Sequence, residues 1–188
     1  MAQSELLKLA RESIQEVLQA EHTIDRKTLL ETYPVLGEKM ATFVTLTIDG
    51  ELRGCIGSLI AQRPLIDDII HNAKAAAFQD PRFSPITTSE YLHTAIEVSI
   101  LTTPEPVSYN DINDLRTKIR PNIDGVILSL GSHQATFLPQ VWEQLPSFDD
   151  FFAHLGAKAG LGSNVLQQHP DILVYQVEKA QDEVILKS

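Results

Sequence analysis

One cysteine stands in the run Leu52-Arg53-Gly54-Cys55-Ile56-Gly57, two residues after an arginine and with glycines at positions 54 and 57. A cysteine attacks as its thiolate, and a neighbouring cation favours that form. Alternate residues of a strand share a face, so Arg53 and Cys55 read as neighbours on one side of it. Gly54 and Gly57 remove side chains beside them and let another backbone or a small ligand approach. The guanidinium of Arg53 suits a carboxylate or phosphate. Glu97 lies on the polar side of a second strand and could pair with Arg53 or move protons. The chemistry this would permit is attack by Cys55 on a small molecule. Arg53 would orient an anionic group, and Glu97 or a nearby histidine would carry the proton. Asp80 and Arg82, in the loop Asp80-Pro81-Arg82-Phe83, form a second candidate binding group.

Each candidate also has a plain structural account. A free cysteine often fills space in a core. Arg53 and Glu97 can form an internal ion pair, and Asp80-Pro81 can simply end a helix with Arg82 as a local partner. These alternatives stay open on the sequence. The histidines, His22, His71, His93, His133, His154 and His169, form no HxH or HxxxH pattern. A lone cysteine excludes a cysteine-rich zinc or iron–sulfur site, and no metal or cofactor is expected, while a metal site assembled from distant residues stays open on the sequence. No GxGxxG, P-loop or GxSxG motif occurs.

The elements that must position these residues follow from periodicity. Leu6, Leu7, Ala10, Ile14, Val17 and Leu18 predict an amphipathic helix capped by Ser4. A polar connection runs over 21–39. Val44, Leu46 and Ile48 alternate with Thr45 and Thr47 over Thr42–Ile48, and Asp49-Gly50 turns the chain into Glu51–Ile56. A three-residue loop, pairing Thr47 with Glu51 and Leu46 with Leu52, would put Val44, Leu46, Leu52 and Ile56 on one face. Cys55 would then face the other way, near Phe43 and Thr45. A helix opens at Arg63-Pro64, buries Leu65, Ile66, Ile69, Ile70 and Ala73, and ends by Asp80-Pro81. Thr94–Leu101 is a strand with Ala95, Glu97 and Ser99 on its polar side. Downstream come a helix over 111–119, a hairpin turning at Gly131-Ser132, a short helix with Trp142, and a helix from Ser147 to Gly160. Strands are predicted over Ile172–Val177 and Val184–Leu186. This mixture predicts an α+β fold, mainly antiparallel sheet with flanking helices.

The chain has 188 residues, 43% of them hydrophobic and 21% charged, the composition of a globular protein. Its formal net charge of -10 disfavours non-specific contact with nucleic acid. The single cysteine fits a reducing compartment, and the charged stretch Met1–Ser13 does not read as a signal peptide. No apolar run reaches membrane-spanning length. A cytoplasmic location is expected, without membrane contact.

Six segments together carry a family resemblance: 51–57 (ELRGCIG), 75–83 (AAAFQDPRF), 96–101 (IEVSIL), 123–126 (IDGV), 136–142 (TFLPQVW) and 158–161 (KAGL). In this order they resemble the AMMECR domain family, named after a human chromosomal-region protein associated with Alport syndrome, from about Leu6 to Val177. The resemblance implies one domain over 1–188, built of a larger and a smaller intertwined lobe with a cleft near residues 52–57. It also implies kinship with the AmmeMemoRadiSam system, and so Memo-like and radical-SAM proteins as partners of an accessory domain. It carries no settled reaction. Bacterial relatives often have a second cysteine before the Lys-Ala-Gly segment; here Leu155-Gly156 stands there.

Overall fold

The computed structural model describes residues 1–182; the strand expected over Val184–Leu186 lies outside them. In chain order the described elements are α1 (Gln3–Gln19), α2 (Arg26–Thr32), β1 (Ala41–Ile48), β2 (Glu51–Gly57), α3 (Leu65–Phe78), α4 (Thr88–Tyr91), β3 (Thr94–Leu101), β4 (Glu105–Pro106), α5 (Ile112–Lys118), β5 (Gly125–Leu130), β6 (His133–Phe137), α6 (Phe148–Lys158), β7 (Asp171–Tyr175) and β8 (Val177–Gln181). The strands form two four-stranded sheets, ordered β2-β1-β3-β8 and β4-β7-β5-β6. This is an α+β fold, and the chain divides into two compact units. One comprises Met1–Leu101 with the described segment 178–182; the other is Thr102–Val177.

In the first unit, helices α1 and α3 pack on one side of β1 and β3. The core there joins Leu6, Leu9, Ile14, Val44, Leu46, Ile66, Ile69, Ile96 and Val98. Helix α1 differs from expectation in two ways. Ala2, not Ser4, is its N-cap, without a side-chain hydrogen bond. Its buried face also includes Ser13 and Glu16, while Val17 is exposed. Glu16 lies on the inner side because it accepts the N–H groups of Thr23 (2.7 Å) and Ile24 (2.9 Å) and pairs with Lys74. The carboxylate thereby binds the connection that follows the helix. That connection is less irregular than its polarity suggests: Asp25 caps α2 by accepting from the Thr28 N–H.

Helix α3 carries a buried charge. Asp68, 1% exposed, accepts from the N–H of Thr42 (2.8 Å), the hydroxyls of Thr42 (2.7 Å) and Ser58 (3.0 Å), and Asn72 Nδ2 (3.1 Å). It also pairs with Arg63 at 2.9 Å. A buried carboxylate is tolerable when donors replace its hydration in this way. The same helix approaches β2 closely, and a Cβ at Gly54 would overlap the carbonyl oxygen of Ala76.

The second unit centres on β5, paired antiparallel with β6 and β7. Trp142 stacks on Phe151, ring centroids 3.6 Å apart, and its Nε1–H donates to the Asp124 carbonyl at 2.8 Å. Ser147 caps α6, as its sequence predicted. The strand expected over Ile172–Val177 is divided at Gln176, which bonds to Thr102 in both directions; β7 precedes it and β8 joins the other sheet.

Because the atom met at position 54 is backbone, a side chain there cannot be relieved by a rotamer change. Gly54→Ala is expected to destabilise the chain by about 3 kcal/mol or more, measured as a shift in the urea unfolding midpoint; a loss within experimental error would refute the close approach.

Candidate functional site around the Cys55 strand

The turn between β1 and β2 is a two-residue loop with both central residues left-handed, Asp49 at φ 52° and Gly50 at φ 82°. Ile48 therefore pairs with Glu51 and Thr47 with Leu52, correcting the three-residue loop expected from charge placement. A bulge then shifts the register, with Arg53 as the additional residue, so that Leu46 faces Gly54, Thr45 faces Cys55 and Val44 faces Ile56. Beyond the bulge the faces are those expected: Val44, Leu46 and Ile56 share the helix side, and Cys55 faces the other way with Thr45. Leu52 lies before the bulge, does not join that apolar face, and is 44% exposed.

Cys55 is half-buried, and its Sγ lies 3.3 Å from the Thr45 hydroxyl. Across β1, Thr45 pairs with Glu97, so Cys55, Thr45 and Glu97 form one row over three strands. Glu97 continues the row to Lys179 of β8, 3.4 Å away. The expected Arg53–Glu97 pair is not formed. Arg53, displaced by the bulge, donates Nε to Glu90 Oε1 at 3.0 Å and Nη2 to Glu90 Oε2 at 3.1 Å. Nη2 also donates to the Ser84 carbonyl at 2.8 Å.

Glu90 itself belongs to a capping box with Thr87 that starts α4. Arg53, followed by the Thr87 N–H, lowers the Glu90 pKa to about 2 against the opposing effect of burial. The Thr87-x-x-Glu90 spacing is a readable cap signal in the sequence. Nothing in that spacing names Arg53 as the partner.

Strand β2 is an edge strand, and Asp80 and Arg82 close that edge at Cys55. The Cys55 N–H donates to Asp80 Oδ2 at 2.9 Å, and Arg82 Nη2 donates to the Cys55 carbonyl at 3.3 Å. Arg82 also holds Asp80 through Nε (3.0 Å), Nη2 (2.8 Å) and its own N–H (3.0 Å). Asp80 is 4% exposed, yet the Arg82 guanidinium keeps its carboxyl well below the usual range, outweighing burial. Phe83 lies beside both cations, each guanidinium carbon 5.6 Å from its ring centroid.

The structure thus brings Cys55 and Glu97 into one row, and ties Arg53, Asp80 and Arg82 to the strand by other partners. The glycines serve the chain's own packing: Gly54 admits the Ala76 carbonyl, and a Cβ at Gly57 would overlap the Phe43 ring. Thr45 stands beside Cys55 as the sequence placed it, whereas Glu90, Lys179 and the Asp68 cluster were not singled out by sequence. Among the described residues no group of three or more His, Cys, Asp or Glu side chains is arranged to hold a metal.

The profile of the AMMECR1 family matches residues 7–180, nearly the whole chain. The chain belongs to the AMMECR1 family. A relative from Thermofilum pendens is 36% identical, the match covering 92% of this chain and 85% of that protein. One from Methanocaldococcus jannaschii is 40% identical over 72% of this chain and 70% of its own. The crystal structure of an uncharacterized protein from Pyrococcus horikoshii is similar with a TM-score of 0.77 at 33% identity, covering 95% of this chain and 90% of that one. In this AMMECR1 chain, no helix among the described residues is long and apolar enough to cross a membrane.

The depressed pKa values of Asp80 and Glu90 give a signed expectation. A carboxyl whose folded pKa lies below its unfolded value stabilises the fold above the unfolded pKa, and this is lost as pH falls toward the folded one. Stability should therefore fall between roughly pH 5 and pH 2, and Arg53→Ala should shallow that slope by returning Glu90 toward its ordinary value. Urea midpoints measured across that range test this; identical slopes in both proteins would contradict the Arg53–Glu90 assignment.

Proposed function

We propose that this AMMECR1 chain is an accessory domain that acts by binding proteins, and that its partners are the Memo-like and radical-SAM proteins of an AmmeMemoRadiSam system. The observation that supports this reading is the engagement of the two arginines beside Cys55. Arg53 is clamped by Glu90 and Arg82 by Asp80. An anionic substrate would meet guanidiniums whose charge these carboxylates already balance, and the polar groups of the LRGCIG strand hold its edge in place. The net charge of -10 disfavours nucleic acid as the partner. The cytoplasm, where a lone cysteine stays reduced, is the proposed place of action.

The test is calorimetric titration of the chain with a Memo-like protein and with a radical-SAM protein. Association with a Kd of about 10 µM or tighter is the expected outcome; no heat and no co-elution with either protein would overturn the reading.

A second reading is a small-molecule enzyme with Cys55 as nucleophile. It is favoured by one observation, the row of Cys55, Thr45 and Glu97 directly opposite one another on three strands. There Glu97 would move the proton, and a small anionic ligand would need a cation other than Arg53. The two readings differ in the behaviour of the thiol. For the accessory domain, iodoacetamide should label Cys55 more slowly in the native chain than in urea at equal pH, since the thiol is half-buried beside Thr45. Faster labelling of the native chain would promote the enzyme reading.

A further inference from the structure

Strand β2 is paired with β1 on one side only, and the ladder fixes which of its peptide groups look outward. The Ser58 N–H donates to the Thr42 carbonyl at 2.8 Å, one step beyond the Phe43–Gly57 pair. Hydrogen-bonded and non-hydrogen-bonded pairs alternate along an antiparallel ladder. Val44 and Ile56 therefore exchange backbone bonds, whereas Cys55, opposite Thr45, turns both its N–H and its carbonyl away from β1. These are the two groups that Asp80 and Arg82 take up, at 2.9 Å and 3.3 Å. The bulge takes Arg53 out of the regular ladder, so Cys55 is the first regular outward residue after it. A side-chain pair thus fills the position that a fifth strand would fill.

An edge with such a pair left open is a template for another strand. The strand that matches this edge is β2 of a second copy. Cys55 offers a donor and an acceptor together, and in a two-fold antiparallel pair centred on it each N–H would meet the other copy's carbonyl. In that register Glu51 and Arg53 both precede the centre, so neither faces a like charge of β2. The strand contains no proline and exposes Leu52, so its own residues do little to discourage pairing. The side-chain pair is built to stay in place. Asp80 is 4% exposed and accepts from Arg82 Nε, Nη2 and N–H, and the guanidinium lies beside the Phe83 ring.

We infer that Asp80 and Arg82 form an edge guard, which keeps β2 from pairing with β2 of a second copy about Cys55. The inference goes beyond the accessory-domain reading and does not depend on it. Cys55 reports on the pairing. A hydrogen-bonded antiparallel pair sets its Cα atoms about 5.5 Å apart, within the roughly 4.4–6.8 Å that a disulfide spans. Cys55 is the one cysteine of the chain, so every disulfide dimer joins Cys55 to Cys55.

The experiment treats the full chain, Arg82→Ala and Arg116→Ala with diamide. Two thiols become one disulfide while one diamide is reduced to its hydrazine. Arg116→Ala is the control, since it removes a half-exposed guanidinium of the other unit. Arg82→Ala should form disulfide dimer about tenfold faster than the other two, because pairing holds the thiols together. Arg82→Ala combined with Cys55→Ser should still gain mass with concentration in sedimentation, through the strand pair alone. Equal dimer formation in all three chains would overturn the guard. Faster cross-linking by Arg82→Ala, with the double variant remaining at the wild-type mass, would also overturn it, as exposure of the thiol without strand pairing. Amide exchange in the wild-type chain needs no variant and decides the matter if Arg82→Ala does not fold. The Cys55 amide, although on an edge strand, should exchange about a hundredfold more slowly than in the unfolded chain, and exchange at the unfolded rate would overturn the guard.

Discussion

An edge strand carries peptide N–H and C=O groups that no neighbouring strand satisfies, and β2 meets that constraint at Cys55 with side chains. Asp80 accepts the N–H and Arg82 donates to the carbonyl, so the carboxylate–guanidinium pair stands where the backbone of another strand would stand. The end of α3 is fixed against the strand by the same contact, and Arg53, reaching Ser84 and Glu90, fixes the segment that follows. The LRGCIG strand and the DPRF loop are thus two halves of one joint. Neither half is fully satisfied without the other, which gives a physical reason for both sets of residues in one chain.

The joint works only because the layers beneath it are close. Gly54 lies over the backbone of Ala76, and the alanines of α3 permit that approach. The cluster around Asp68 fastens the other end of the same helix–strand interface. It joins Thr42 of β1, Asn72 of α3, and Ser58 and Arg63 at the ends of the connecting loop. Buried polar groups of this kind stabilise one arrangement strongly, because any alternative leaves a charge without partners.

These roles change what the conspicuous residues can be asked to do. Arginines beside a cysteine suggest an activated thiol, yet both guanidiniums are already paired with carboxylates inside the first unit. The face that carries Cys55, Thr45, Glu97 and Lys179 is chemically varied, and its charged members neutralise one another across the sheet. Near the motif the first unit exposes the aliphatics Leu52, Leu59 and Ile60 beside the polar Glu51, Gln62 and Arg82.

Much of the architecture was legible in the residues alone. Alternation in β1 and β3, the helix over 111–119 and the helix starting at Ser147 correspond to observed elements, because each is a local signal whose partner lies within a few residues. The α+β class follows from the same short-range patterns, whereas Cys55 reaches its expected face through a bulge and not through the expected loop. The register of the hairpin, the displacement of Arg53 by a bulge, its pairing with Glu90 in place of Glu97, and the burial of Glu16 and Asp68 were settled only in the folded chain. The reason is one of range. Periodicity and capping act over one turn or one strand, whereas the choice of partner for a charge depends on which residues, 37 positions away for Arg53 and Glu90, arrive within 3.0 Å once the sheet and helix have packed.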